Sequence, residues 1–286
     1  MPKFHMSLMW LIATLTLAGC AAPAPSTPTP AGPSAIQVAV ASNDFTVGQP
    51  RLPIVLFNGP ERVADAQRVQ LTTFDLSSGT PTPGGWSGEA TNYSDYEVPY
   101  WVAYPELPRA GYWGFVAEIT LADGSTTVAQ FTIETLDKSR SPGVGSQPPA
   151  SVNRTLATEP DIAKLTSDPE PEPGLYQLTV ADAVKTGKPT VVTFATPAFC
   201  ESRLCAPVVN SVKAVYGEWK EAANFIHIEV YKSFNPLVYA DEVEEWGLPS
   251  EPWTFVLDKT GKVVAQLGGP VSPRELTTVL TPLIAP

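Results

Sequence analysis

Two cysteines five residues apart, Cys200 and Cys205 in TFATPAFCESRLCAPVV, are the residues of this 286-residue chain best suited to chemistry. Thiolates attack disulfides and bind soft metal ions. A close pair therefore supports thiol–disulfide exchange, metal capture or a plain structural cross-link. On a regular helix, five residues turn through about 500°, leaving the side chains roughly 140° apart and the Cα atoms roughly 8 Å apart. That is beyond disulfide reach, so for the two to bond at least one must lie outside regular helix. Pro207 suits a first helical turn. A helix is thus expected to start near Ala206, with Cys205 near the N-cap and Cys200 in the loop before it. In that arrangement the helix dipole favours a thiolate at Cys205 rather than Cys200. Arg203 supports a thiolate and Glu201 opposes one.

The elements on either side must position the pair. KPTVVTFAT is a continuous apolar run, as expected of a strand buried on both faces. APVVNSVKAVYGEWKEA carries Val208, Val212, Val215 and Trp219 on one helical stripe. NFIHIEVYK reads as a second strand, with Ile226, Ile228 and Val230 on one face and His227 and Glu229 on the other. PLVYADEVEEWG reads as a helix ended by Gly247, and PWTFVLDKTGKVVAQLG as a hairpin around Asp258 to Gly261. SPRELTTVLTPLI reads as a final helix with a Ser272/Glu275 capping box. In front stands a short helix, TVADAVKTG, with Thr179 as N-cap and Gly187 as its stop. The order is β-α-β-α-β-β-α behind that short helix.

This order, with cysteines directly after the first strand, resembles the thioredoxin arrangement over residues 176–286. GKPTVVTFATPAFC is similar to the GKPVLVDFWAxWC approach to a thioredoxin active site, and LPSEPWTFVLDKTGKVV to the later segment that carries that family's cis-proline. The resemblance implies a thioredoxin-like α/β fold and Cys200 and Cys205 as a catalytic, disulfide-forming pair. It also implies Pro252 as the cis-proline, with Glu251 before it contacting a partner chain. The departure is C-E-S-R-L-C in place of C-x-x-C. Four readings stay open. The first is exchange with thiols or disulfides of exported proteins, and the second a structural disulfide on a binding scaffold. The third is peroxidase chemistry, although Thr196 stands four residues before Cys200 and Pro252-Trp253 replaces the expected arginine. The fourth is copper handling with His227 as third ligand. No cofactor and no resident metal are expected.

Residues 36–136 carry short runs rich in Val, Ile, Thr and aromatics (IQVAVAS, RLPIVLFN, RVQLTTFDL, EVPYWVAYP, GYWGFVAEITL, TTVAQFTIET). Punctuation such as GTPTPGG and the Asp123-Gly124 turn separates them, which predicts a β-sandwich. LPRAGYWGFVAEITLADGSTTVAQFTI resembles immunoglobulin-like modules of exported bacterial proteins, and Trp86, Trp101 and Trp113 are expected in or at the edge of its core. The fold class expected is therefore multi-domain, with an N-terminal all-β immunoglobulin-like sandwich and a C-terminal thioredoxin-like domain. Residues 137–175, rich in Pro, Gly, Ser and acidic residues, read as a linker.

Lys3, the apolar MSLMWLIATLTLA and LAGC form a leader, and LAGC resembles the lipobox of bacterial lipoproteins. The expectation is a signal peptide over 1–19, a lipid on Cys20 and a Pro-rich tether over 20–35. The chain would then be exported and anchored to the outer face of the cell membrane. Removing Cys20 from the thiol inventory leaves one cysteine pair and one histidine, His227, beyond the leader. A net charge of −11 argues against nucleic acid and against electrostatic docking to anionic lipid. The sequence does not indicate an oligomeric state.

Overall fold

Alternating apolar residues in the first hundred described positions produce two facing sheets, antiparallel except where β2 runs parallel to β10. The computed structural model describes residues 36–284; the expected leader over 1–19, Cys20 and the expected tether over 20–35 lie outside the described residues. The strands are β1 Ile36–Val40, β2 Phe45–Thr46, β3 Leu52–Asn58, β4 Glu61–Arg62, β5 Arg68–Asp75, β6 Thr82–Glu89, β7 Thr91–Tyr93, β8 Tyr100–Ala103, β9 Gly111–Thr120 and β10 Thr126–Leu136. One sheet runs β1-β3-β8-β7 with β4 on β3, and the other runs β2-β10-β9-β5-β6. Between them lie Leu52, Ile54, Leu71, Trp101, Trp113, Phe115 and Ile119, with Trp86 packed at the margin. The Asp123-Gly124 turn joins β9 to β10 as expected, with Gly124 at φ 82°.

The GTPTPGG stretch is a correction. Much of it is edge strand β6, paired only with β5. Its glycines serve close approach as well as turning: a Cβ on Gly84 would lie 2.5 Å from the Thr73 hydroxyl. Glycine and proline are tolerated here because an edge strand leaves one side of its ladder unpaired.

The C-terminal half holds a four-stranded sheet in the order β12-β11-β15-β16. Its strands are β11 Thr190–Ala195, β12 Asn224–Glu229, β15 Trp253–Leu257 and β16 Val263–Gly268. β11 and β12 run parallel, while β15 is antiparallel to both β11 and β16. Helices α1 Val180–Ala183, α2 Cys205–Trp219, α3 Asp241–Glu245 and α4 Pro273–Ile284 accompany them. α2 is the crossover between the parallel strands, as a parallel pair requires. Thr179 caps α1, accepting from the Asp182 N–H.

Three expectations need revision here. PLVYADEVEEWG is not one helix: Leu237–Tyr239 forms strand β14, and only Asp241–Glu245 is helical. β14 pairs with β13, Tyr231–Phe234, so the NFIHIEVYK strand breaks at Val230 into β12 and this hairpin. Asn-Pro is a turn signal, and Asn235-Pro236 forms the hairpin turn. The α4 capping box is half made. The Glu275 N–H reaches the Ser272 hydroxyl at 3.1 Å, but the Ser272 N–H donates to Tyr100 Oη instead of to Glu275.

Residues 137–175, expected as a linker, form a strap packed along the chain with two short 3₁₀ turns at Ile162–Lys164 and Pro173–Tyr176. Asp44 accepts hydrogen bonds from Ser139 and Ser141, Asn153 accepts from the Val180 N–H, and Ser151 accepts from the Trp246 indole. Polar residues of the expected linker therefore satisfy buried backbone and side-chain groups.

Both halves belong to one compact unit, residues 34–286. Arg51, just before β3, donates to Glu275 of α4 and to the Gly268 and Pro270 carbonyls. Gly269 sits at φ 80°, where an added Cβ would lie 1.9 Å from the Ala41 carbonyl oxygen. Gly269→Ala should therefore lower stability by at least about 2 kcal/mol, combining the left-handed backbone penalty with overpacking. Urea unfolding would measure this; an unchanged midpoint would show that the close approach is not maintained.

Candidate functional site

Burial fixes the approach to the cysteines. All six residues of β11 are buried, so its C-terminal end is a rigid platform from which Thr196 to Leu204 loop outward. Two turns close the loop: the Phe199 N–H donates to Thr196 O, and the Arg203 N–H to Cys200 O. Arg203 takes φ 59°, the one left-handed non-glycine among the described residues. The strap supports the loop from behind. The Ser167 hydroxyl accepts the Ala198 N–H at 3.1 Å and donates to the buried Glu229 carboxylate at 2.7 Å.

α2 begins at Cys205, one residue earlier than expected, with Leu204 as N-cap. Leucine has no side-chain acceptor, and no side chain of the usual N-cap type caps this end. The Cys200 sulfur accepts the Cys205 N–H at 3.3 Å instead, and Ser202 Oγ lies 3.2 Å from the same sulfur. The loop thus folds back so that the earlier cysteine stands at the helix N-terminus. Its four intervening residues are what allow the return.

This reverses the expected thiol assignment. The Cys200 thiol is lowered to about 5, first by the hydrogen bond from the Cys205 thiol, with Ser202 and the Cys205 and Leu204 N–H groups adding and burial opposing. The Cys205 thiol is pushed up by donating to Cys200, by burial and by the Cys200 charge. Cys205 is 0% exposed against Ala195 and Val209, whereas Cys200 is only partly buried. The dipole argument was sound, but the amide it acts through points at Cys200. Both residues are thiols in this structure, with no bond between them.

Leu204 is 8% exposed and lies among Val55, Tyr93, Tyr96, Val98, Tyr100 and Val102 of the β-sandwich half. Burying such a side chain is worth about 1.5–3 kcal/mol, enough to offset the roughly 1–2 kcal/mol that left-handed Arg203 costs.

The Glu251-Pro252 peptide bond is cis, at the position read from the sequence. The Pro252 carbonyl accepts the Gly269 N–H at 2.9 Å, which fixes this turn against the end of β16. Burial first, then the negative charges of Cys200 and Glu201, raise the Glu251 carboxyl. Phe199, 37% exposed, stacks on Phe234 at 5.4 Å and meets Tyr231 edge-on at 6.1 Å. The β13–β14 hairpin thereby sets an aromatic wall beside the cysteine loop.

His227 is spoken for. Its Nδ1 meets the Tyr176 hydroxyl at 2.7 Å and its Nε2 lies 3.1 Å from Ala195 O. The Nε2–H donor tautomer satisfies both contacts, and desolvation lowers its pKa. With both nitrogens engaged, His227 is not available as a third metal ligand beside the thiols. The Thr196 hydroxyl is buried without a hydrogen-bond partner.

No protein-family model matches the chain, and no curated protein matches it. Solved structures are similar over part of it. A DsbF homologue from Corynebacterium diphtheriae is 19% identical, covering 37% of this chain and 77% of that one, with a TM-score of 0.31. A thioredoxin-family thiol:disulfide interchange protein from Chlorobium tepidum is 15% identical, covering 49% and 97%, with a TM-score of 0.35. CopC from Methylosinus trichosporium OB3b is 14% identical, covering 33% and 83%, with a TM-score of 0.23. Among the described residues, no helix is long and apolar enough to cross a membrane.

Sequence reasoning missed Ser202, Leu204 and the aromatic hairpin. The signals were present: a lone hydroxyl and a lone leucine between the two cysteines, and two aromatic runs flanking Asn-Pro.

Proposed function

We propose that this chain is an exported, lipid-anchored protein whose Cys200/Cys205 pair exchanges with disulfides or thiols of other exported proteins. One observation carries the reading: a partly exposed Cys200 sulfur accepts the Cys205 N–H while Cys205 lies buried behind it. That is the division of labour between an attacking and a resolving thiol. In the reducing direction, the Cys200 thiolate forms a bond to one partner sulfur and the other partner sulfur leaves as a thiolate. The Cys205 thiol then passes its proton to the thiolate released first and attacks the Cys200 sulfur. A Cys200–Cys205 disulfide forms and the partner's second sulfur leaves, so the partner is reduced and this chain oxidised. The reverse sequence oxidises the partner.

Glu251, whose carboxyl feels the Cys200 charge, and the adjoining Pro252 would contact the bound segment, with Phe199 as a further contact. The lipid on Cys20 and the tether over 20–35 would hold the site at the outer face of the membrane; the LAGC motif supports this part.

The test is a trap in cells. Cys205→Ser should accumulate reductant-sensitive adducts on Cys200, and Cys200→Ser none. The isolated pair should have a reduction potential above about −300 mV, the range below which structural disulfides lie. No adducts with either variant, together with a potential below that value, would leave a cross-linked binding scaffold as the answer.

A further inference from the structure

We infer that the β-sandwich half is a working part of the dithiol site, because its tyrosine-lined outer face holds Leu204 and so fixes the loop that brings the Cys200 sulfur onto the α2 N-terminus. Leu204 is a positioning residue: it acts through the loop and touches no reacting atom.

An N-cap normally organises the preceding loop through its own side-chain oxygen. Leu204 offers none, and its N–H has only a long contact of 3.4 Å to Ser202 Oγ. The residue before it is left-handed at φ 59°, a conformation that an arginine does not hold unless its surroundings impose it. Within the loop, the Arg203 N–H to Cys200 O bond and the two contacts of the Cys200 sulfur are all 3.2–3.3 Å. These are ordinary, partly solvated contacts. The one strongly buried anchor between the two cysteines is Leu204, and its socket comes from the other half of the chain.

The socket is itself fixed. Tyr93 stacks on Tyr100 at 4.9 Å, Tyr96 meets Tyr100 edge-on at 5.7 Å, and Tyr100 is pinned by Glu275 and the Ser272 N–H. Tyr96 also lies close enough to Ser211 and Cys205 for its phenol to sense both. The sandwich secures the opposite lip as well: Asn43 meets Ser250 at 3.1 Å, just before Glu251-Pro252. Both sides of the site therefore lean on the sandwich half.

The titratable group that sets the Cys200 sulfur is Cys205, and the Glu251 carboxyl feels the Cys200 charge. Neither belongs to the sandwich; of the two thiols Tyr96 senses only Cys205, and Tyr96→Phe, which removes the hydroxyl but keeps the ring, separates that electrostatic route from geometry.

The experiment titrates the reduced full chain by ultraviolet thiolate absorbance and needs no partner protein. Failure of the trapping experiment above would therefore leave it intact, and its own failure would leave thiol exchange standing. Leu204→Ala should raise the Cys200 midpoint by about one unit or more, a tenfold loss of thiolate well below the midpoint. Leu204→Met should restore most of it. Tyr96→Ala, made on the sandwich, should shift the midpoint in the same direction. The two alanine shifts should not add in the double variant, because both act through one contact. Should Leu204→Ala fail to fold, Leu204→Val and Val98→Ala provide the milder perturbations. A folded Leu204 variant that keeps the wild-type midpoint, or additive shifts in the double variant, would overturn the inference.

Discussion

Reduced protein offered a small disulfide such as dithiodipyridine is expected to react at Cys200 with a rate that is flat above pH 6 and falls away around pH 5. The sign follows from the lowered thiol: the thiolate is lost only as pH drops through about 5. Against an ordinary thiol of pKa about 8.5, Cys200 at pH 6 holds roughly 300-fold more thiolate. A thiolate of lower basicity is also a poorer nucleophile, by roughly 25–55-fold over this range with a Brønsted slope of about 0.4–0.5. The net expectation is a rate about five- to tenfold above glutathione-like thiols at pH 6, and about tenfold below them at pH 8. Cys205, fully buried with a raised thiol, should remain unmodified until Cys200 has reacted. Mass spectrometry after brief exposure would find the adduct. Initial labelling at Cys205, or a rate that climbs through pH 8–9, would return the assignment to the helix-dipole expectation.

That assignment shows where sequence reading stops. The strand into the site, the helix after it and Pro252 were legible because each follows from local pattern: an unbroken apolar run, a 3.6-residue stripe, a proline before a strand. The spacing argument also held, since Cys200 lies outside the helix. Which sulfur receives the first helical N–H was not legible. It depends on a left-handed Arg203 and a buried Leu204, and the residues that bury Leu204 lie more than a hundred positions earlier, in strands β3, β7 and β8 and the turn between the last two. The strap over 137–175 was hidden for a related reason. Proline, serine and acidic side chains read as solvated until the groups they satisfy are known, such as Ser167 on Glu229 and Asn153 on Val180. The PLVYADEVEEWG segment misled through propensity: DEVEE is helical, but the aromatic residues before it pair across Asn235-Pro236 as a hairpin.

Replacing Arg51 by methionine should be among the most destabilising single changes in the chain. Its guanidinium and the Glu275 carboxylate are 5% and 3% exposed and make two hydrogen bonds, at 2.7 and 2.8 Å. Removing the cation leaves a carboxylate buried beside the Tyr100 hydroxyl, with two backbone carbonyls unpaired. The loss expected for breaking such a pair is about 3–5 kcal/mol. Removing the charge on both sides costs less than leaving one stranded, so Arg51→Met/Glu275→Gln should recover part of the loss. The coupling expected is about 1–3 kcal/mol. Chemical denaturation of the three variants gives the cycle. A single-variant loss under about 1 kcal/mol would mean that the carboxylate finds water or a proton instead. The location carries the functional consequence. Arg51 grips Gly268 O and Pro270 O, while Gly269 between them donates to Pro252 O. Loosening this ion pair frees the strand end that supports the cis-proline turn. Arg51→Met should therefore slow the resolution of a mixed disulfide on Cys200 even at temperatures where the protein remains folded, and stopped-flow exchange with a disulfide-containing peptide would register it.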